Sequence, residues 1–244
     1  MTSLVEARGI GIAGRLAPTD LIIGRGQMVA VIGPNGGGKT SLLRSLARTE
    51  DADGAVTIDG QDVDTLGEAQ RRHLLAFLPA AREATWPVAV ADYLKFGLGV
   101  PDAARIDELI ELLELEPLAK RPINRLSTGE RARAMLGRAL ADRAQLLLLD
   151  EPLSNLDPYW VLRTTEIVRA EVTANASAAL VSVHDLAMVA RFDRVLLVSG
   201  GALIADGHPA VVLESEMFRT AFRVERSDRG WAISATSADP RSSR

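Results

Sequence analysis

Short apolar runs alternate along the chain with amphipathic stretches in which apolar residues recur every three or four positions. Apolar runs rich in β-branched residues or leucine predict buried strands, and the longer period predicts helices with one buried face. The pattern predicts strands at 27–32, 56–60, 145–149, 178–183 and 194–198, the last leading into 202–205, and helices at 39–48, 103–115 and 131–143. Strands that alternate with helices indicate an α/β fold with a mostly parallel sheet.

The segment from about residue 79 to 142 departs from this alternation, because it contains predicted helices but no clear strand. One of these helices, 103–115, lies between Pro101 and Pro117, and proline is typical of helix boundaries. We therefore expect an all-helical subdomain inserted into one α/β domain that spans residues 1–234. Residues 235–244 are rich in Ser, Ala and Arg and are expected to form a disordered tail.

Composition excludes some classes of site. The chain has 244 residues, 47% of them hydrophobic, no cysteine and a formal net charge of −4. It therefore has no disulfide and no thiolate metal site, and it lacks the basic excess typical of nucleic-acid binders. No secretory signal is visible, and no run approaches the roughly 20 apolar residues of a membrane span. We expect the chain to act on any membrane process through a partner.

The glycine-rich segment Gly33 to Thr40 matches the phosphate-binding pattern G-x-x-x-x-G-K-[ST]. It follows a predicted strand and opens a predicted helix, which is the context in which this pattern binds phosphate. In this interpretation Lys39 contacts the β- and γ-phosphates of a nucleotide, and Thr40 ligates Mg²⁺. The alternative is a glycine-rich turn with an exposed lysine. The candidate nucleotide ligands are Asn35, Gly36, Gly38, Lys39, Thr40 and Ser41.

Two acidic residues end the apolar run 146–149, and a histidine follows the next predicted strand. The carboxyl ends of parallel strands face the ligand crevice of an α/β sheet, so these side chains are expected beside the phosphates. Asp150 is the candidate Mg²⁺ ligand. Glu151 is the candidate catalytic group that orients and polarises the attacking water, with His184 as the second catalytic candidate. A plain buried strand and a structural or surface histidine are the alternatives.

The segment 126–130 supports two interpretations. Ser127 followed three residues later by Glu130 is typical of a capping box at a helix N-terminus, which explains the pattern without any ligand. The same helix N-terminus could instead present backbone N–H groups and the Ser127 hydroxyl to an anion. Sequence physics alone does not choose between the two.

Five segments occur in the order and spacing of an ABC-transporter nucleotide-binding domain: 33–40, 126–130, 146–151, 154–157 and His184. The chain resembles that family from about residue 4 to residue 213. The resemblance implies a P-loop NTPase core with an N-terminal antiparallel β part, and an ATPase with ATP and Mg²⁺ as cofactors. It also implies a signature motif at 126–130, in which Ser127 and Gly129 bind nucleotide, a D-loop at 154–157, and a switch role for His184.

The resemblance also implies partners. It implies a head-to-tail homodimer, with each ATP between the phosphate loop of one subunit and the signature motif of the other. It implies an integral-membrane permease in contact with the helical insertion, a position at the cytoplasmic face of the membrane, and a substrate-binding protein upstream. No nucleic-acid partner is expected.

Segments 83–90 and 218–225, with a predicted strand near Trp231, resemble the ATPases of iron-siderophore, haem and cobalamin importers. The alternatives are a non-transport ABC ATPase, for example in iron–sulfur assembly, and a weakly active nucleotide-binding regulatory subunit.

Two motifs depart from the family pattern. Ala80 stands where the family usually has a glutamine that touches Mg²⁺ and links to the membrane partner, and Arg82 or Glu83 is the nearby candidate to replace it. In the signature motif, Thr128 and Glu130 stand where glycine and glutamine are usual.

A third departure concerns the nucleobase. The aromatic residue that usually stacks on adenine, about twenty positions before the phosphate loop, is absent. We expect Ile10, Ile12 or Arg15 to cover the base instead, and the phosphate contacts to supply most of the affinity.

Overall fold

The computed structural model describes residues 3–80, 86–227 and 230–234. Its strands are β1 Ser3–Ile12, β2 Leu16–Gly24, β3 Met28–Ile32, β4 Asp53–Ile58, β5 Gln61–Asp62, β6 Leu75–Leu78, β7 Leu146–Leu149, β8 Ala178–Ser182, β9 Arg194–Ser199, β10 Ala202–Gly207, β11 Val224–Ser227 and β12 Gly230–Ile233. Its α-helices are α1 Lys39–Ala47, α2 Glu68–Leu74, α3 Val90–Lys95, α4 Ala103–Leu112, α5 Thr128–Leu140, α6 Pro158–Ala174, α7 Pro209–Glu214 and α8 Glu216–Phe222.

The central sheet has the strand order β10-β9-β3-β8-β7-β6 among the described residues. Strands β9, β3, β8, β7 and β6 pair in parallel, and β10 runs antiparallel to β9. Strands β3, β7 and β8 are buried along their whole length, because both faces of the sheet are covered and their side chains are almost all apolar. The mostly parallel α/β sheet expected from the sequence is confirmed.

A second sheet, entirely antiparallel, covers one face of the molecule with the order β2-β1-β4-β5. Val29 and Val31 of β3 face a core shared with this sheet and α1. Ala30 and Ile32 face the opposite core, which the inserted helices and α6 complete. Alternate residues of one buried strand thus serve two cores, as the two-residue period of a strand requires. The antiparallel part implied by the family resemblance is present.

Between β6 and β7 the described residues form α3, α4 and α5 together with short 3₁₀ turns. Two boundaries differ from the sequence prediction. Helix α4 ends at Leu112, because Glu114 adopts a left-handed φ of 51°, which a helix cannot continue through. Helix α5 spans Thr128–Leu140 instead of 131–143, because Ser127 caps its first turn. Residues 81–85, which include Arg82, Glu83 and part of the importer-like segment, lie outside the described residues.

A buried ion pair ties this helical insertion to the rest of the domain. Arg105 on α4 is 1% exposed, and its Nη2 contacts the Glu171 carboxylate on α6 at 2.8 Å. The same guanidinium contacts Glu108 at 2.9 Å and donates to the Leu140 carbonyl at 2.9 Å. The Arg105 guanidinium therefore links α4 to α6 and also contacts α5.

The chain then forms a β-hairpin, with β11 and β12 pairing antiparallel. Trp231 on β12 lies 5.2 Å from the Phe218 ring, centroid to centroid, so the hairpin packs on α8. The strand predicted near Trp231 is therefore present. The predicted tail at 235–244 lies outside the described residues.

Candidate nucleotide-binding and catalytic site

The strand order brings the predicted site residues together. β3, β8 and β7 are neighbours in the sheet and run parallel, so their carboxyl ends meet at one edge. The phosphate loop follows β3, Asp150 follows β7, and His184 comes two residues after β8. The site is thus assembled by three adjacent strand ends.

The phosphate loop needs glycine where the chain crosses another strand. A Cβ on Gly33 would lie 1.9 Å from the carbonyl oxygen of Val198, which excludes any side chain there. Gly38 has a φ of 111° and caps α1 without a side-chain hydrogen bond, so the first backbone N–H groups of α1 stay available to a ligand. Loop and strand ends enclose a cavity of about 400 Å³, lined by Asn35, Gly36, Gly37, Gly38, Lys39, Thr40, Ser41, Glu151, Gly14, Arg15, Gly200 and Gly201.

Lys39 lies inside the loop and is only 6% exposed. Its Nζ donates to the carbonyls of Gly33 at 2.8 Å and Pro34 at 3.2 Å. Burial lowers the pKa of Lys39, while the nearby Glu151 and Asp150 carboxylates oppose that shift. The ammonium group is therefore held at the loop by neutral backbone carbonyls, and an anionic phosphate oxygen would form a stronger bond in their place.

Glu151 is held by two side chains. His184 Nε2 lies 2.7 Å from Glu151 Oε1, and the Ser154 hydroxyl donates to Oε2 at 3.2 Å. Burial alone would raise the pKa of Glu151, but the hydrogen bond and charge of His184, the Ser154 hydroxyl and Lys39 together lower it. The carboxylate is thus ionised at neutral pH, so the His184 Nε2 carries the proton of this bond. An oriented, ionised carboxylate is suited to polarise a water molecule.

Asp150 is 1% exposed, and its two oxygens differ. Oδ1 accepts a hydrogen bond from the Ser182 hydroxyl at 2.8 Å. Oδ2 is buried with no hydrogen-bond partner among the described residues. A buried carboxylate oxygen without a donor is costly unless a cation or ligand satisfies it. The residues present therefore fit a bound cation.

The donor set fits Mg²⁺ in particular. Among the described residues no group of three His, Asp or Glu side chains could hold a metal by itself. Mg²⁺ is commonly held by one or two protein oxygens, with substrate phosphates and water completing its shell. Thr40 lines the phosphate cavity, and the charge of Asp150 is near enough to act on the pKa of Lys39 in the same cavity. These two side chains supply the protein oxygens that match that requirement.

Comparison with known proteins agrees with this geometry. The profile of the ABC transporter family matches residues 16–154. The petrobactin import ATP-binding protein of Bacillus anthracis is 34% identical over 212 residues, which cover 82% of this chain and 78% of that protein. The hemin import ATP-binding protein of Streptomyces coelicolor is 36% identical over 218 residues, covering 83% and 76%. The chain belongs to the ABC transporter family of ATP-binding proteins.

As a member of this family the chain is an ATPase. It is also 33% identical to the cobalamin import ATP-binding protein of Halobacterium salinarum, over 91% of this chain and 59% of that protein. An ATP-binding cassette solved as a dimer with ADP and Pi superposes with a TM-score of 0.75 at 21% identity, covering 84% of this chain and 99% of that one. The P-loop NTPase fold is thereby established. In the described part of the chain, no helix has the length and apolarity needed to cross a bilayer.

Residues 126–130, the expected signature motif, do not line the phosphate cavity. Ser127 forms the predicted capping box: its Oγ accepts from the Glu130 N–H at 3.3 Å, and Glu130 Oε2 accepts from the Ser127 N–H at 2.8 Å. The backbone hydrogen bond from Ser127 is the main cause that lowers the pKa of Glu130. Capping uses a lone pair of the Ser127 oxygen, and the Ser127 hydroxyl also hydrogen-bonds the Glu130 carboxylate, so an anion at this site would compete for that proton. The capping box is therefore confirmed, and anion binding by the same helix N-terminus stays a prediction.

Gly129 in the same helix turn neighbours the D-loop: a Cβ there would lie 3.9 Å from the Asn155 carbonyl and from a Leu156 methyl group. Within one subunit, Ser127 and Gly129 do not line the cavity that holds Lys39. A nucleotide ligand role for them thus requires a second copy of the chain.

The structure corrects the expectation about which residues could cover the nucleobase. Ile10 and Ile12 are 0% and 4% exposed, because β1 pairs with β2 on one side and β4 on the other and turns its apolar side chains into the core. Neither isoleucine can cover a base. Arg15, the third candidate, lines the cavity, and its Nη2 contacts Glu50 at 2.5 Å.

Sequence reasoning missed two side chains that shape the catalytic edge. Ser154, assigned only to the D-loop, donates to Glu151, and Ser182 donates to Asp150. The available signal for Ser182 was a polar residue in a buried apolar run, two positions before His184. Ala80 lies half-buried just beyond β6, close to the same sheet edge.

Proposed function

We propose that this chain is the ATP-hydrolysing subunit of an importer, and that it drives a separate membrane permease for a metal chelate such as a siderophore complex, haem or cobalamin. The observation that carries the proposal is the match over most of the chain to petrobactin, hemin and cobalamin import ATP-binding proteins. The strand near Trp231, which was expected from the same resemblance, belongs to a C-terminal hairpin that packs on α8, and this supports the assignment to that group.

The proposed chemistry assigns each side chain one task. The backbone N–H groups of the loop and Lys39 bind the phosphates. Thr40 and Asp150 hold Mg²⁺, which when bound neutralises phosphate charge. Glu151, oriented by His184, polarises the attacking water. The phosphate loop and Glu151 line one cavity, so a phosphate bound to the loop would lie near this carboxylate.

The proposed active unit is a dimer of two such subunits. Within one subunit the N-terminus of α5 does not line the phosphate cavity. In this proposal a second copy therefore supplies Ser127 and Gly129 to each nucleotide. Closing the dimer would bring the α5 N-terminus and the Ser127 hydroxyl to the phosphates. A substrate-binding protein upstream and a position at the cytoplasmic face of the membrane complete the proposal.

Hydrolysis should respond to the permease. The test is to purify the tagged chain from membranes of its source cell, identify any multi-span protein bound to it, and measure ATP hydrolysis with and without that partner in liposomes. Lys39→Ala, which removes the phosphate-binding ammonium, is the matched control for preparation-dependent ATPase activity. Stimulation of the parent but not of the control supports the proposal.

Two results would favour the rivals. Hydrolysis by a chain that associates only with soluble proteins would indicate a non-transport ATPase. ATP binding with little turnover, alone or with the permease, would indicate a regulatory subunit, the alternative suggested by Ala80 and Thr128.

A further inference from the structure

Ser182 is a buried polar residue that lies beside Asp150 and Glu151, which directly follow β7. It ends β8 and is 1% exposed. In the β7–β8 pair, Leu149 lies opposite Val181, so the next residues, Asp150 and Ser182, come side by side. The register of two parallel strands, and nothing in the local sequence, places this hydroxyl at the catalytic edge.

One hydroxyl makes two different hydrogen bonds there. Ser182 Oγ donates its proton to Asp150 Oδ1 at 2.8 Å and accepts the Glu151 backbone N–H at 2.6 Å. A hydroxyl has one proton and two lone pairs, so both bonds can exist together. The same atom therefore touches the side chain of one acidic residue and the backbone of the next.

The Glu151 backbone needs such support. Its φ is 53°, in the left-handed region that is unfavourable for residues other than glycine, asparagine and aspartate. Such conformations persist only where the surroundings fix them. The bond from the Glu151 N–H to Ser182 is one of the contacts that fix this one.

Ser182 also affects the orientation of the Asp150 carboxylate. Because Oδ1 is engaged by Ser182, Oδ2 is left as the oxygen with no hydrogen-bond partner among the described residues. A donor to one oxygen of a metal-binding carboxylate fixes its rotation and so selects the oxygen offered to the metal. Ser182 thereby links the orientation of the proposed Mg²⁺ ligand to the orientation of the proposed catalytic carboxylate.

We propose that Ser182 is a positioning residue: it orients the Asp150 carboxylate for Mg²⁺ and holds the Glu151 backbone in the conformation needed for hydrolysis. The inference rests on the proposed Mg²⁺-dependent mechanism and adds a residue that acts through its neighbours without touching the nucleotide.

The test uses the full chain with Ser182→Ala and Ser182→Cys. The alanine removes the hydroxyl, and the cysteine nearly preserves the volume but is a much weaker hydrogen-bond partner. Ser45→Ala is the matched control, since Ser45 is also fully buried but its hydroxyl donates to the Leu42 carbonyl within α1, away from the two acidic residues. Affinity for a fluorescent ATP analogue is measured once in EDTA and once across a Mg²⁺ titration, followed by kcat and KM for ATP hydrolysis.

Both Ser182 variants should bind the analogue in EDTA as the parent does. Their apparent Mg²⁺ affinity and their kcat should fall by about 10–100-fold, the usual effect of removing a partner of a metal ligand. Ser45→Ala should keep the parental Mg²⁺ dependence and kcat.

Parental Mg²⁺ dependence and kcat in both Ser182 variants would overturn the inference, as would an equal loss in Ser45→Ala. A parent chain that shows neither Mg²⁺-enhanced binding nor hydrolysis would instead contradict the proposed function itself.

Discussion

Arg15 offers the sharpest test of how this ATPase holds a nucleobase. The residue lines the phosphate cavity, and its guanidinium pairs with Glu50, which also binds Arg44. A planar guanidinium can stack on an aromatic ring, and pairing with a carboxylate fixes its plane. The Arg15 side chain is 54% exposed, so the contact should fall at the weak end of the range, about 0.5–1 kcal/mol. This corresponds to about two- to fivefold in affinity.

The perturbation is Arg15→Ala, and the ligands are ATP, GTP and inorganic tripolyphosphate. Tripolyphosphate has no base, so its affinity reports the phosphate contacts alone. ATP and GTP should bind about two- to fivefold more weakly to the variant, and tripolyphosphate should bind equally to both proteins. In the parent, GTP should compete with ATP within about one order of magnitude, because stacking is tolerant of base identity. Calorimetry or competition against a fluorescent nucleotide gives the constants.

Arg8→Ala is the control, since Arg8 is an exposed arginine of β1 that pairs with Glu6 outside the cavity. An equal loss for tripolyphosphate would show that Arg15 binds phosphate and would refute stacking. Unchanged binding of all three ligands would remove Arg15 from the site. A large preference for ATP over GTP would show that another side chain reads adenine.

Changes at three other positions should separate binding from turnover. Glu151→Gln should keep ATP binding, lose about 10²–10⁴ in hydrolysis rate and give a stable dimer in size-exclusion chromatography with Mg-ATP, whereas a parental rate would exclude the proposed role. Because the pKa of Glu151 is lowered, parental hydrolysis should hold as pH falls to the usual carboxyl range and drop only below it. Glu130→Gln keeps an acceptor for the Ser127 N–H but removes a negative charge beside the proposed anion site, so ATP-dependent dimerisation measured by ultracentrifugation should tighten, most at low salt. Equal dimerisation at every salt concentration would contradict this. Ala80→Gln should leave ATP affinity nearly unchanged and raise permease-stimulated hydrolysis, by a coupling of about 1–3 kcal/mol; equal stimulation of parent and variant would refute weak coupling.

The phosphate loop and the acidic residues after β7 could be predicted because their functional side chains are adjacent in the sequence. Gly38 and Lys39 follow each other at the start of α1, and Asp150 and Glu151 directly follow a buried strand. The capping box at Ser127 was equally local, since both of its hydrogen bonds join residues three apart.

Contacts that depend on strand pairing could not be predicted in this way. Ser182 meets Asp150 only through the β7–β8 register, which no local pattern contains. Ile10 and Ile12 looked available to a base because their pairing on both edges of β1 was unknown. Strand β6, only four residues long and directly after α2, gave too short a signal to separate it from the helix.

The pairing of Arg105 with Glu171 limits how this domain can be recombined. The arginine belongs to the inserted helices and the glutamate to α6, so the two charges come from segments far apart in the sequence. A chimera that received an insertion without this arginine would leave the largely buried Glu171 carboxylate without its cation, with a hydrogen bond from Asn175 as partial compensation, at a cost of up to about 3–5 kcal/mol. That is a large share of the stability of an ordinary domain. Exchange of the inserted helices between such ATPases should therefore succeed only when the chimera contains both Arg105 and Glu171, or when both are replaced by uncharged residues.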